Sequence, residues 1–131
     1  MARGLRLNSA AWLALAALLG GLALAGSLVP RELLDWQPAR WASQPWRAFT
    51  AAAGHLSAGH LGANLLGLLL VVALGREVGC NGADTAAWAL AWPLTHLALL
   101  AQPALTHYAG LSGVLHAGVA VAAWRLALLR R

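Results

Sequence analysis

An apolar run from Ser9 to Val29 constrains this chain more than any other stretch, because it contains no charged side chain. About 20 consecutive apolar residues are enough for a helix to cross the hydrocarbon core of a bilayer. Of the whole chain, 60% of residues are hydrophobic and 10% are charged, which is too little charge to cover a soluble domain. Because lipid offers no partner to open backbone groups, we expect one all-helical membrane domain over residues 1–131.

The first run also has features of a signal peptide. Ala23-Leu24-Ala25 before Gly26 is typical of a cleavage site. We expect a retained helix instead, because the chain that follows is itself apolar enough to be embedded in a membrane. Elsewhere, the single Cys80 excludes an internal disulfide and offers no thiol motif for a metal.

Four transmembrane helices are predicted from the apolar segments and from the residues that end them. They cover residues 9–29, 49–74, 85–101 and 112–129. Pro93 is expected to kink the third helix, since proline removes a helical hydrogen bond. Asn81-Gly82 predicts a turn between the second and third helices.

Residues 30–48 form the longest predicted connection. This segment carries Trp36, Trp41 and Trp46. Tryptophan at this density beside a membrane helix is typical of the headgroup region. We therefore predict an interfacial loop, and its length indicates a packed structure of its own.

The arginines predict the orientation, because cytoplasmic loops of membrane proteins carry an excess of them. The net charge of +5 therefore indicates topology and no nucleic-acid partner. With the N-terminus in the cytoplasm, the inner side holds Arg3, Arg6, Arg76, Arg125, Arg130 and Arg131, and the outer side holds Arg31, Arg40 and Arg47. This orientation brings the start of the second helix and the start of the fourth toward the outer face.

A polar cluster begins the second helix. His60 and Asn64 are four residues apart and share one helical face, whereas His55 is offset and points elsewhere. Polar side chains inside a membrane are costly, which favours a functional role. Hydrogen bonding between packed helices is the structural alternative, and the pair alone does not decide between the two.

A second cluster precedes the fourth helix, where Gly110-Leu111-Ser112-Gly113 offers a nucleophile. The first turn of a helix leaves backbone N–H groups unpaired. Those donors and the helix dipole favour an anion, as a tetrahedral oxyanion requires. For this motif alone, the competing interpretation is a helix cap at Ser112 with glycines that allow tight packing.

Together the two clusters resemble the rhomboid family of intramembrane serine proteases, over about residues 46–124. The residues that carry the resemblance are Trp46-Arg47, the spaced set His55, His60 and Asn64, the segment Gly75-Arg76-Glu77-Val78, and Gly110-Leu111-Ser112-Gly113. The longer string Tyr108-Ala-Gly-Leu-Ser-Gly-Val-Leu-His116 is most similar to the rhombosortase branch of compact bacterial rhomboids.

The resemblance implies a mechanism and a location. Ser112 would attack a peptide carbonyl, His60 and Asn64 would donate hydrogen bonds to the oxyanion, and His55 would hold the first loop. The substrates would be single-pass or C-terminally Gly-Gly-tailed membrane-anchored proteins, cut near the outer face of a bacterial inner membrane. The implied partners are this transmembrane substrate and the lipid bilayer, and no cofactor is implied.

Serine is a weak nucleophile without a base, and rhomboids take theirs from a histidine on a sixth core helix. No residue of this sequence maps to that histidine, so we expect a fragment of a longer frame with little or no activity. One alternative is an inactive relative that binds membrane clients. Another is a replacement base at His116, four residues after Ser112 on the same helical face, with packing as its structural interpretation.

Other classes remain open for the histidines. Haem ligation would need two of them on separate helices at matched depth, such as His96 with His60 or His116. The pattern H-E-x-x-H of zinc enzymes does not occur, so no metal is predicted. A purely structural bundle is the third class, in which His96 is a core hydrogen-bonding residue and His107 is interfacial.

Overall fold

Within residues 9–131, which a computed structural model describes, the apolar segments form five α-helices and no strand. These are α1 (Ala10–Gly26), α2 (Arg47–Thr50), α3 (Ala58–Glu77), α4 (Gly82–Leu97) and α5 (Ser112–Leu129), with 3-10 turns at Arg31–Leu33, Pro38–Arg40, Ala51–Ala53 and Ala98–Ala101. The all-helical prediction is confirmed for this part of the chain. The orientation signal from Arg3 and Arg6 lies outside it.

Two helices, α3 and α5, are long and apolar enough to cross a membrane. The bounds of α5 coincide with the predicted fourth helix. Helix α1 is apolar but shorter than the predicted 9–29, because the chain leaves helical hydrogen bonding at Ser27. Four membrane spans therefore remain a prediction.

The predicted second helix, 49–74, is wrong at its start. The chain makes the short helix α2 and a 3-10 turn, then becomes extended at Gly54, with φ −81° and ψ 140°. Helix α3 begins after Ser57, whose side chain accepts a hydrogen bond from the backbone N–H of His60. A serine that satisfies a first-turn donor in this way fixes a helix start. At the other end α3 continues to Glu77, and Gly79 terminates it at φ 68°.

The third helix also starts earlier than the predicted Thr85. Asn81 caps it, accepting from the N–H groups of Ala83 and Asp84, while the Asp84 carboxylate accepts from the N–H of Asn81. This reciprocal capping box satisfies the unpaired donors of the first turn. The Asn81-Gly82 pair is therefore a helix start and not a free turn. Helix α4 runs through Pro93 to Leu97 and tightens into a 3-10 turn over 98–101.

Two tryptophans hold the helices together. The rings of Trp12 in α1 and Trp88 in α4 lie 4.3 Å apart, and both are fully buried. Trp12 lies against Gly75 of α3 and donates to the Val71 carbonyl at 3.2 Å. Trp88 lies against Gly118 of α5 and donates to the Val114 carbonyl at 2.8 Å. Glycine leaves the space that each indole fills, and each buried indole N–H has a partner, as a stable core requires.

The loop over residues 30–48 is packed, as predicted, but its tryptophans differ from one another. Trp36 is fully buried, whereas Trp41 and Trp46 are 49% and 53% exposed. Trp36 and Tyr108 exchange backbone hydrogen bonds at 2.7 and 2.9 Å, forming an isolated antiparallel bridge. Trp36 is therefore a core residue and not part of an interfacial belt. The bridge ties the loop to the segment that leads into α5.

Candidate functional site

Ser112 is the first residue of α5, and its hydroxyl has a specific partner. The Tyr108 hydroxyl lies 2.9 Å from Ser112 Oγ and accepts a hydrogen bond from the Gly113 N–H at 3.3 Å. Leu111, and not Ser112, occupies the capping position. The interpretation of Ser112 as a helix cap is therefore wrong. Its hydroxyl contacts the side chain of Tyr108, whose backbone is held by the bridge to Trp36.

Gly110 shapes the approach to this serine. Its φ of +136° lies in a region that residues with a Cβ rarely adopt. A Cβ placed there would lie 2.9 Å from Cε1 of His60. The Gly110 N–H donates to the Ala51 carbonyl at 2.9 Å. Glycine thus allows the chain to turn into α5 while the imidazole of His60 lies directly beside the backbone.

The hydrogen bonds of His60 assign its tautomer. Its Nδ1 lies 3.2 Å from the backbone N of Leu56. Because a backbone N–H can only donate, Nδ1 accepts, and the neutral ring carries its proton on Nε2. The Cε1–Nε2 edge of the ring faces Gly110. His60 therefore presents an N–H donor on the side of the Gly110–Gly113 motif.

Asn64 lies one turn further along α3 and is 6% exposed. Its side-chain amide donates to the His60 carbonyl at 2.9 Å. An amide nitrogen has two protons, so one remains for a second acceptor. The contact between the two residues is therefore made by the Asn64 side chain with the backbone of His60, one helical turn away.

Two cavities meet at Ser112. The first has a volume of about 550 Å³ and includes His60, His107, Tyr108 and Ser112 in its lining. The second, of about 330 Å³, lies between α3 and α5 and includes Asn64, Ser112 and His116. Of the residues predicted to act together, His60 lines the first cavity with Ser112 and Asn64 lines the second cavity with Ser112.

His116 contacts the backbone of Ser112 and not its hydroxyl. Its Nδ1 lies 2.7 Å from the Ser112 carbonyl, so Nδ1 must carry the proton. The side chain is exposed, at the edge of the second cavity. This contact gives the intrahelical pair a structural role.

His55 precedes α3 and does not lie on it. Its Nδ1 donates to the Ala53 carbonyl at 3.3 Å, and its ring lies 5.1 Å from that of His60. The expectation that it points away from His60 is wrong, because the helix starts after Ser57. Burial lowers the pKa of His55, so its ring is neutral at pH 7. Its hydrogen bond to Ala53 stays within its own segment and does not reach the loop over 30–48.

His96 is fully buried in α4. Its Nδ1 is bonded to the Ala48 carbonyl at 2.5 Å, and its ring lies 5.6 Å from that of Tyr108. Its ring packs on Tyr108, the residue that contacts the Ser112 hydroxyl. These contacts match the prediction that His96 is a core hydrogen-bonding residue.

A third polar group at the site was missed from the sequence. Asp35 is 2% exposed. Its two carboxylate oxygens accept hydrogen bonds, one from Arg47 Nη1 at 3.0 Å and the other from His107 Nδ1 at 2.7 Å. Arg47 also donates to the backbone carbonyls of Glu32 and Asp35. Asp35 and His107 both line the first cavity. They are 72 residues apart, and only the bridge between Trp36 and Tyr108 brings them together.

In comparisons with known proteins, the chain matches no family model, no curated protein and no solved structure. The resemblance to rhomboids therefore rests on the motif residues quoted above. Across residues 9–131, no group of three or more His, Cys, Asp or Glu side chains is placed to hold a metal ion.

Proposed function

We propose that this chain is a serine hydrolase of the rhomboid type, an intramembrane endopeptidase of the bacterial inner membrane with Ser112 as nucleophile. Its substrates would be single-pass or Gly-Gly-tailed membrane-anchored proteins. The observation that supports the proposal is that Ser112 lines both cavities, the first with His60 and the second with Asn64. A purely structural serine requires neither.

The chemistry follows from what surrounds the hydroxyl. Attack by Ser112 Oγ on a carbonyl carbon places negative charge on the carbonyl oxygen. The Nε2–H of His60, the free amide proton of Asn64 and the N–H groups of the first turn of α5 are donors for that charge. Removing one such donor in serine hydrolases costs about 10²–10³-fold in rate.

The second cavity favours a membrane-anchored substrate. Its lining includes Gly67, Leu70, Leu74 and Val119, which are apolar side chains of α3 and α5. These are the two helices with the length and composition of membrane spans. An apolar substrate segment that entered between them would carry its scissile bond to Ser112, where the apolar cavity meets the more polar one.

A fluorophosphonate probe tests the proposal on the purified 131-residue chain in detergent. We expect covalent labelling that Ser112→Ala abolishes and Ser43→Ala retains, since Ser43 is an exposed loop serine. Cleavage of a Gly-Gly-tailed reporter should follow the same pattern. A folded chain that the probe does not label, or labelling that survives Ser112→Ala, would overturn the proposal. A folded, unlabelled chain that binds the reporter would support the inactive client-binding alternative.

A further inference from the structure

A serine nucleophile needs a proton acceptor. The five histidines of the chain differ in whether they offer a free ring nitrogen to the cavity that holds Ser112. His55 lines a different cavity, with Ser27 and Ser57. His60 carries its proton on Nε2 and is a donor on the side of the motif. His96 is fully buried. These three do not offer a free ring nitrogen to the cavity that holds Ser112.

The two remaining histidines differ in what supports them. His116 directs Nδ1 at the Ser112 carbonyl, so its hydrogen bond is to a neutral carbonyl. His107 directs Nδ1 at the carboxylate of Asp35 at 2.7 Å. Because a carboxylate accepts, Nδ1 of His107 carries the proton and Nε2 has a free lone pair. Its side chain is 60% exposed and lines the first cavity beside Tyr108 and Ser112.

We propose that Asp35 and His107 form the proton-accepting pair for Ser112, reached through the Tyr108 hydroxyl and the solvent of the shared cavity. This inference rests on the proposed function of Ser112. A buried carboxylate bonded to Nδ1 holds the imidazole in one tautomer and stabilises the imidazolium that forms when Nε2 takes a proton.

The proton balance of the step is complete. Ser112 Oγ forms a bond to the acyl carbon, and the carbonyl electron pair moves to the oxygen. The hydroxyl proton passes to Tyr108 Oη, 2.9 Å away, as Tyr108 releases its own proton toward His107 Nε2. Collapse of the tetrahedral intermediate breaks the carbon–nitrogen bond, and the imidazolium returns its proton to the leaving amine. Water then hydrolyses the acyl-enzyme by the same route.

Other ionisable side chains line the same cavity as His107. The loop over 30–48 contributes Arg31, Glu32 and Asp35 to the cavity, the start of α3 contributes His60, and the segment before α5 contributes Tyr108. Arg47 binds the carboxylate oxygen of Asp35 that does not face His107 and neutralises part of the Asp35 charge. The second imidazole in the same cavity, His60, must therefore be separated from His107 experimentally.

The test measures the rate constant of fluorophosphonate labelling between about pH 5 and 9 on the intact 131-residue chain. We expect the rate of the parent chain to fall at acidic pH, as general-base catalysis requires. His107→Gln should lower the plateau by about 10²-fold and remove the acidic limb, since general-base catalysis supplies about 10²–10⁴-fold. Arg130→Gln, an exposed position at the far end of α5, is the control and should change neither. Because His107 is largely exposed, its replacement leaves the core intact, which circular dichroism checks.

A second variant probes the carboxylate. Asp35→Asn removes the carboxylate that holds His107 in one tautomer, so labelling should slow as it does in His107→Gln. The variant also leaves the buried Arg47 charge unpaired, so its fold is first checked by circular dichroism. Ser112-dependent labelling that is unchanged in His107→Gln would overturn this inference and leave the proposed hydrolase standing. An acidic limb that persists in His107→Gln would have the same consequence, because the loss of rate at acidic pH would not depend on His107. A parent chain that does not label at any pH would overturn both.

Discussion

Asp35 is a buried carboxylate with hydrogen-bond partners on both of its oxygens. Arg47 Nη1 and the Gln37 amide bind one carboxylate oxygen at 3.0 and 2.7 Å, and His107 binds the other at 2.7 Å. The side chains of Arg47 and Asp35 are 6% and 3% exposed. Removal of one partner of such a pair leaves an uncompensated charge in a desolvated place, which is far more costly than loss of an exposed pair.

Arg47→Ala should therefore destabilise the fold by about 3–5 kcal/mol. The matched control is Arg31→Ala, because Arg31 pairs with Glu32 on the surface, where the side chains are 40% and 67% exposed. That control should change stability by less than about 1 kcal/mol. Thermal unfolding in detergent, followed by circular dichroism, compares the two variants. Equal shifts would mean that burial of the Asp35 pair contributes nothing.

Tyr108 joins the packing of the core to the orientation of Ser112. Its ring lies on His96, while its hydroxyl contacts Ser112 Oγ and the Gly113 N–H. Tyr108→Phe keeps the ring and removes the hydroxyl. One hydrogen bond is worth about 1 kcal/mol, roughly a fivefold change in an equilibrium or rate. We expect fluorophosphonate labelling of Ser112 to slow at least that much, with little change in thermal stability.

The control for Tyr108→Phe is Thr95→Val. Thr95 faces the same glycine, since a Cβ placed at Gly113 would lie 3.7 Å from it, but its hydroxyl donates to the Trp92 carbonyl and not to Ser112. Its loss should leave the labelling rate of Ser112 within about twofold, since no hydrogen bond to the nucleophile changes. Equal slowing in the two variants would show that the Tyr108 hydroxyl acts only through local packing.

At the scale of elements, the sequence predicts helices where one local signal dominates. Helix α5 follows directly from its apolar run and the glycines before it. Helix α3 was extended too far toward the N-terminus because Ala-rich residues 49–53 have high helix propensity. The break depends on the extended Gly54 and on the capping of Ser57, which act against that propensity. Cap geometry of this kind is weakly encoded, so helix starts are harder to predict than helices.

Close contact between tryptophan and glycine sets how the helices pack. Gly75 of α3 lies under the ring of Trp12, and a methyl group there would overlap the indole. Overpacking of this kind costs about 1–3 kcal/mol, so Gly75→Ala should lower the unfolding temperature. Gly62→Ala on the same helix is the control, since nothing lies within 4 Å of its added Cβ. That variant should gain up to about 1 kcal/mol from higher helix propensity.

The reactivity of Cys80 can be used to compare the unfolding of Gly75→Ala and Gly62→Ala. The thiol is fully buried, and burial raises its pKa to about 11, with Asp84 adding to the shift and Arg125 opposing it. The folded chain should therefore react slowly with a fluorogenic maleimide at pH 7, and the reaction should report unfolding. Dye reaction at a lower temperature for Gly75→Ala than for Gly62→Ala is the expected result. The reverse order would contradict the packing of Trp12 on Gly75.

At the scale of the whole molecule, the alternation of α1, α3, α4 and α5 gathers the polar groups at one end. The start of α3, the start of α5 and the loop over 30–48 meet there through the bridge between Trp36 and Tyr108. The opposite end holds the capping box of α4 and the Asp84–Arg125 pair at 3.8 Å. The starts of α3 and α5 lie at the same end because the helices alternate in direction, so the sequence could predict that His60, Asn64 and Ser112 are placed at that end. The contact between Asp35 and His107 depends on loop packing, which has no local signature.

The gathering of polar groups at one end of the molecule leads to a prediction for how the chain is oriented in the membrane. The proposed topology places the loop over 30–48 outside the bacterial inner membrane and the end of α5 in the cytoplasm. In a Cys80→Ala chain, Ser43→Cys should react with a membrane-impermeant maleimide on intact spheroplasts, because Ser43 is exposed in that loop. Arg131→Cys, placed just beyond α5, should react only after permeabilisation. The opposite pattern would put Ser112 near the cytoplasmic face. Labelling of both positions on intact cells would mean that an even number of the three helices α3, α4 and α5 crosses the membrane, and the proposed four-span topology would fail.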